Sequence, residues 1–295
     1  MPVGARSIQQ SAEKHVYLFG GHTQHSLAPS LWNYSFAHLG INADYIPANV
    51  EKTDIAQAVT RLHDADVIGA NITIPLKEVG ARLARRPDAD VVATGATNWL
   101  YSEAGVLNAA NTDAIAAKRL TKGSWTQVMI LGAGGGGAAV AAGVSDYASR
   151  ILVTDVDGER ALALRDRIRS WGTSTEAVDW GDRRQFIALS DVLVNATPLG
   201  MAGALAELSP VDPAWLSEQT HVYDLVYAPT DTPLAQTAKD LGLPLIDGLA
   251  HLYEQAVGLL PLMGVTNDTA SRVLGEGIAR AFAGRTPTDW SDPYD

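Results

Sequence analysis

The stretch TQVMILGAGGGGAAVAAGVSD, residues 126–146, decides the fold. A short apolar run reads as a strand. It enters Gly132-Ala133-Gly134-Gly135-Gly136-Gly137 directly, and a small-residue helix follows. In such a unit one glycine permits the tight turn, another lets backbone approach a pyrophosphate, and a later one lets helix pack on strand. The helix N-terminus adds amide donors and a dipole that favour phosphate. Asp155 closes the next strand, RILVTD (150–155), roughly 20 residues beyond Gly132, the place of a carboxylate that accepts from ribose hydroxyls. Val156, Asp157 and Gly158 follow, with no arginine among them to hold a 2′-phosphate. These residues predict NAD as the cofactor rather than NADP.

Strand-like and helix-like segments alternate outward from this unit, the α/β pattern. SDVLVNAT (190–197), HVYDLVY (221–227) and LPLIDG (243–248) continue a parallel doubly wound sheet. Toward the N-terminus, HVYLFG (15–20), DYIPANV (44–50) and VIGANITIP (67–75) read as strands. A helix starts at Pro29 and stops at Gly40, and TDIAQAVTRLHD (53–64) reads as another, opened by a Thr/Asp cap signal. TNWLYSEAGVLNAANTD (97–113) reads as a hairpin turning at Ser102-Glu103-Ala104-Gly105, with a helix after Asp113. LAHLYEQAVGLLPLMG (249–264) and NDTASRVLGEGIARAFAG (267–284) are two further helices, and residues 1–14 and 284–295 read as polar tails. Residues 15–120 with 249–284 are expected to form one domain, and residues 121–248 a dinucleotide-binding one.

Composition excludes several classes. A net charge of −11 disfavours nucleic acid and anionic membrane surfaces as partners. No cysteine means no disulfide framework and no thiolate chemistry. No apolar run approaches the ~20 residues of a membrane helix, and MPVGARSIQQSAEKH has no apolar signal core. A cytoplasmic protein is the expectation. The histidines show no metal-ligand spacing, so no metal site is expected.

Three polar clusters stand in the first half: His25-Ser26-Leu27-Ala28-Pro29-Ser30, then Asn71-Ile72-Thr73-Ile74-Pro75-Leu76-Lys77 read as a strand ending in lysine, then Asn98 and Asn111-Thr112-Asp113 flanking the hairpin. Asn, Thr, Lys and Asp at strand ends suit a hydroxylated small molecule. A lysine beside an aspartate suits proton transfer, since the carboxylate keeps the ammonium protonated and oriented.

The ordered set HS-x-x-P, N-I-T-I-P-x-K, G-A-x-N, N-T-D, G-A-G-G, N-A-T-P-x-G-M and D-G-L-x-x-L-x-x-Q, from Gly20 to Gln255, resembles the shikimate dehydrogenase family of NAD(P)-dependent oxidoreductases. The resemblance implies an N-terminal α/β substrate domain and a Rossmann domain, with the last helices returning to the first. It implies a cyclic hydroxy acid as substrate, and a monomer or a homodimer. Lys77 and Asp113 match the catalytic pair. Asn71, Thr73, Asn98 and Gln255 match residues that hold ring hydroxyls, and Ser26 and Tyr227 match donors to the substrate carboxylate. Gly132, Gly134 and Gly135 match the pyrophosphate loop. Asn195, Thr197 and Met201 match the segment beside ribose and nicotinamide, where the backbone at Gly248 also approaches.

Four departures bear on the substrate. Ala28 stands where a second serine is usual, and Trp99 where a threonine is usual. His251 replaces a methionine, and Asp155-Val156-Asp157 replaces the basic residue after the second strand. Trp99 suits either hairpin packing or a gate to the pocket. His251, on an apolar helix, reads as a satisfied structural histidine rather than a second acid/base, and His25 as a residue orienting its loop. The implied reaction interconverts shikimate and 3-dehydroshikimate, or quinate and 3-dehydroquinate. The alternatives are the same chemistry on an amino-substituted ring, or a sensor that has kept the fold.

Overall fold

The computed structural model describes residues 13–21, 23 and 26–282. His25 and most of both tails lie outside the described residues. The described residues divide into two compact units, one of residues up to 112 with 255–282 and one of residues 113–254.

The first unit holds β1 (Lys14–Gly20), β2 (Ala43–Asn49), β3 (Val67–Ile72), β4 (Arg86–Pro87), β5 (Trp99–Glu103) and β6 (Val106–Ala110). Its helices are α1 (Ala28–Leu39), α2 (Ile55–Ala58), α3 (Lys77–Leu83) and α4 (Ala89–Thr94). The sheet runs β2-β1-β3-β5-β6-β4. Pairs β1–β2, β1–β3 and β4–β6 are parallel; β3–β5 and β5–β6 are antiparallel. Helix α1 starts with Pro29 in its first turn, where a missing N–H costs nothing, and ends at Gly40 with φ 66°. One sheet face buries Tyr17, Phe19, Ala70, Ile72 and Leu100 with Ile55, Val59 and Leu62.

Several expectations shift here. Lys14 opens β1 rather than closing a tail. The hairpin turns at Ala104-Gly105, both with positive φ, and pairs Glu103 with Val106, one residue later than expected. Residues 53–64 form only a four-residue helix followed by a tight 3-10 turn over 59–63. Asp54 makes no cap bond there: its φ −104° and ψ −9° are helical, not the extended backbone from which a capping carboxylate reaches the first-turn amides. Strand β3 stops at Ile72, and Lys77 is the first residue of α3 rather than the end of a strand. Pro75 has no N–H to continue the ladder, and Leu76 N–H turns back to the Thr73 carbonyl.

Helix α5 (Thr112–Leu120) leads to the second unit, with β7 (Trp125–Leu131), β8 (Ala148–Thr154), β9 (Ser174–Ala177), β10 (Val192–Asn195), β11 (His221–Asp224) and β12 (Leu245–Ile246). Its helices are α6 (Gly135–Val144), α7 (Gly158–Ser170), α8 (Arg183–Ile187) and α9 (Pro233–Asp240), and α10 (Gly248–Leu259) begins in it and passes into the first unit at Gln255. Helix α11 (Ala270–Phe282) belongs to the first unit. The second sheet is wholly parallel, in the order β12-β11-β10-β7-β8-β9. That is the doubly wound order, with its switch point between β7 and β10.

The continuous apolar runs of these strands follow from burial on both faces. Val128, Ile130, Ile151, Val153, Val192, Val194 and Tyr223 face one helical layer. Their neighbours Met129, Leu131, Leu152, Leu193 and Val222 face the other. On the first face α6 approaches α5 so closely that a Cβ at Gly143 would lie 2.6 Å from the Lys118 amide nitrogen.

Gly143→Ala is therefore expected to cost roughly 1–3 kcal/mol, the usual range for overpacking. A thermal melt will show it as a fall of several degrees in Tm.

Candidate active site

The glycine loop is built by exclusion of side chains. Gly132 has φ 98°, and a Cβ there would meet the Ala196 carbonyl at 2.7 Å. At Gly137 a Cβ would lie 2.0 Å from the Gly132 carbonyl oxygen. The loop thus closes on the start of α6, with Gly134 as N-cap and Gly135–Gly137 supplying the first-turn amides. A helix N-terminus of this kind is suited to anionic groups.

Asp155 follows β8 and is buried. Its two oxygens accept from the backbone amides of Ala133 (2.7 Å) and Asp157 (3.0 Å), so the carboxylate is pinned against the loop. Asp157 caps α7 by accepting from Glu159 N–H, and Val156 points outward with 80% exposure. Although residues 156–158 hold no arginine, one stands close by. The Arg160 guanidinium lies 3.1 Å from where a Gly134 Cβ would be. Side chains of a first helical turn lean back toward the N-terminus, which returns Arg160 to the loop.

The segment after β10 is braced from inside. Asn195 is fully buried. Its Nδ2 donates to Asp224 (2.9 Å) and to the Leu199 carbonyl (3.1 Å), while its Oδ1 accepts from the Thr197 amide and hydroxyl. Met201 N–H closes a turn on the Pro198 carbonyl. Asp224 also accepts from Thr232 Oγ1 (2.6 Å) and Val226 N–H (3.1 Å). Burial pushes its carboxyl up to about 6 despite these donors, with the Asp247 carboxylate adding to the rise. The Gly248 backbone lies against Val226 and Tyr227, where a Cβ would meet the Val226 carbonyl at 2.4 Å.

In the first unit the expected polar residues form a hydrogen-bonded set. Asn71 Oδ1 accepts from Tyr45 Oη (2.7 Å), and its Nδ2 donates to the Asn98 carbonyl (3.1 Å). Tyr45 is itself stacked on Trp32 of α1. Asn98 binds Thr112 twice, accepting from its amide and donating to its hydroxyl, and lies 3.4 Å from Gln255 Oε1. Thr73, partly exposed, sets its methyl where a Gly20 Cβ would be. Ser26 Oγ accepts from Ala28 N–H at the start of α1. Lys77 is partly exposed, and its carbonyl accepts from Thr97 N–H. Trp99 is fully buried, with its ring filling the space above Gly69, where a Cβ would lie 2.5 Å from Cζ2. It packs the sheet.

In the second unit Asp113 is buried in the first turn of α5. Burial, then the Asp113 charge, raise the pKa of the Tyr227 phenol, which stays protonated as a donor. His251 contacts Tyr223 Oη and Asp113. Sequence reasoning missed Tyr45, Tyr223, Asp224 and Arg160. Each acts on a residue far from it in sequence or one turn of helix away, and periodicity signals neither relation. Among the described residues no cluster of three or more His, Cys, Asp or Glu could hold a metal ion, and no helix is long and apolar enough to cross a membrane.

The strand order, the crowded glycine loop and the carboxylate behind it define a doubly wound dinucleotide-binding protein joined to a second α/β unit. Residues 18–100 match the description "Shikimate dehydrogenase substrate binding domain". A shikimate dehydrogenase (NADP(+)) from Mesorhizobium japonicum is 35% identical over 253 residues, 83% of this chain and 89% of that one. A shikimate dehydrogenase solved in complex with NADP+ superposes with a TM-score of 0.83 at 26% identity, covering 95% and 99% of the two chains. Quinate dehydrogenase from Corynebacterium glutamicum, solved with NAD, gives 0.79 at 28% identity, covering 91% and 99%. The chain belongs to the shikimate dehydrogenase family and is an oxidoreductase of that type.

Asp224 sets a pH test. Its folded pKa lies above the ordinary 3.8, so the folded state holds this proton more tightly. The stabilisation is complete below about pH 4 and is lost as pH rises through about 6, a swing on the order of 3 kcal/mol. Melts between pH 4 and 7 should show wild type losing stability relative to Asp224→Asn, whose amide keeps the acceptor for Asn195.

Proposed function

We propose that this protein oxidises a ring alcohol of a cyclic hydroxy acid, shikimate or quinate, with NAD as the hydride acceptor. The observation that carries the reading is the pinned Asp155 carboxylate beside a glycine loop that has no room for a side chain at Gly132 or Gly137. The crowding at Gly132 and Gly137 and the free first turn of α6 fit a dinucleotide pyrophosphate. We assign dinucleotide binding to residues 121–248 and substrate binding to 15–112 with 255–282; residues 113–120 and 249–254 pack with the former rather than the latter.

When bound, the nicotinamide supplies hydride acceptance at its C4. Gly132, Gly134 and Gly135 hold the pyrophosphate, and Asp155 accepts from the adenosine ribose. Asn195, through the loop it braces, sets Thr197 and Met201 on the nicotinamide side together with Gly248. Ser26 and Tyr227 donate to the substrate carboxylate. Asn71, Thr73, Asn98 and Gln255 hold ring hydroxyls, and existing hydrogen bonds fix the side chains of Asn71, Asn98 and Gln255 beforehand. Lys77 Nζ binds the carbinol oxygen and, having released a proton of its own to solvent, takes up the carbinol proton as the carbon gives up hydride. Asp113 orients that ammonium.

NAD is favoured by charge. Asp155 and Asp157 repel a 2′-phosphate, and exposed Val156 offers it nothing. Arg160 supports a second reading, NADP, which the name of the Mesorhizobium japonicum relative also carries. This arginine stands at Gly134, on the glycine loop itself.

Nicotinamide absorbance with shikimate and quinate, each offered NAD and NADP, tests the reading. NAD is expected to give the higher kcat/KM, and Arg160→Ala to weaken both cofactors alike. A strict NADP preference, abolished by Arg160→Ala, overturns it. Lys77→Ala should lower kcat by ~10²–10⁴ and leave substrate binding nearly intact.

A further inference from the structure

Asp113 has a second neighbour that the family resemblance does not supply. His251 sits in the first turns of α10, where its own amide donates to the Asp247 carbonyl. Its ring is buried, with Nδ1 2.5 Å from Tyr223 Oη and Nε2 3.6 Å from Asp113 Oδ1. Tyr223 is fully buried in β11, between Val194 and Ile246. Desolvation and then the Asp113 charge keep its phenol protonated. With the phenol as donor, its hydrogen goes to His251 Nδ1. A ring that accepts at Nδ1 carries its own hydrogen on Nε2. That N–H faces Asp113 just beyond hydrogen-bond reach. On the next turn Glu254 of α10 pairs with Arg119 of α5 at 3.1 Å, a second tie between the two helices.

We propose that His251, held by Tyr223, is a positioning residue that fixes the Asp113 carboxylate through Nε2–H. The methionine expected at this place has no N–H to offer. Here Tyr223 holds the His251 ring, whose Nε2 faces the Asp113 carboxylate at 3.6 Å. The inference rests on the reading of Asp113 as the partner of Lys77. Its consequence is that Asp113 meets the lysine in one orientation, and that loosening His251 costs turnover rather than affinity.

Three variants test it in the intact chain. His251→Met should lower kcat about 10–100-fold, the scale of a misplaced catalytic group, with KM changed less than about threefold. His251→Gln, whose amide can donate near the place of Nε2, should recover most of the loss. Tyr223→Phe keeps the ring and its packing and should reproduce part of the fall. The 15N spectrum of wild type should report an Nε2–H imidazole for His251, a state that Tyr223→Phe releases. If His251→Met folds poorly, Tyr223→Phe and His251→Gln decide the matter. Wild-type kcat in both His251→Met and Tyr223→Phe, or no rescue by glutamine, overturns the proposal. Asp113→Asn separates the two levels. Full turnover in Asp113→Asn refutes the reading beneath; collapse there with unchanged His251 and Tyr223 variants refutes the positioning role alone.

Discussion

The second unit depends on one steric fact: the Gly132 carbonyl and the Gly137 Cα share a space too small for a methyl group. This contact seats α6 directly on the end of β7. It also forces the left-handed turn at Gly132, which lays the loop against Ala196 and Thr197. Three chain segments therefore converge on one small volume. A side chain at either glycine would push the helix off its strand and carry the first-turn amides away from any phosphate.

A crowded loop leaves its neighbours to be held by polar groups. Asn195 spends both ends of its amide on the segment it opens, and Asp224 holds Asn195 in turn. The first unit repeats the pattern with Asn71 between Tyr45 and Asn98, and with Asn98 between Thr112 and Gln255. Satisfied buried amides cost little and rigidify, whereas a half-satisfied one is expensive. These side chains arrive at their positions already oriented, and a bound molecule need order very little.

The features legible in sequence were those written in local pattern. Apolar runs of β7, β8 and β10 read as strands because both faces of a parallel sheet are covered. The glycine cluster, Gly40 and Pro29 read correctly because each obeys a backbone constraint of its own. Lys77 was misplaced on a strand because β-branched residues continue to Ile74, while pairing stops at Ile72 before Pro75. The cap read at Asp54 fails because the backbone there is helical rather than extended, which no local pattern declares. Trp99 stayed ambiguous because its partner, Gly69, is an absence of side chain on another strand. The tie between His251 and Tyr223 joins residues 28 apart, on a helix and a strand whose pairing no periodicity declares.

The order of the two units along the chain has a consequence for biosynthesis. The second unit is drawn mainly from the unbroken segment 113–254, and the first is completed only by residues 255–282. Helix α1, made near the beginning, buries Leu31 against α11, where Gly277 would admit no larger residue. A ribosome emitting this chain in order therefore finishes every strand of the doubly wound sheet while α1 still lacks its cover. The unit begun first is closed last, and until α11 emerges an apolar helix face stays open to chaperones or to other nascent chains.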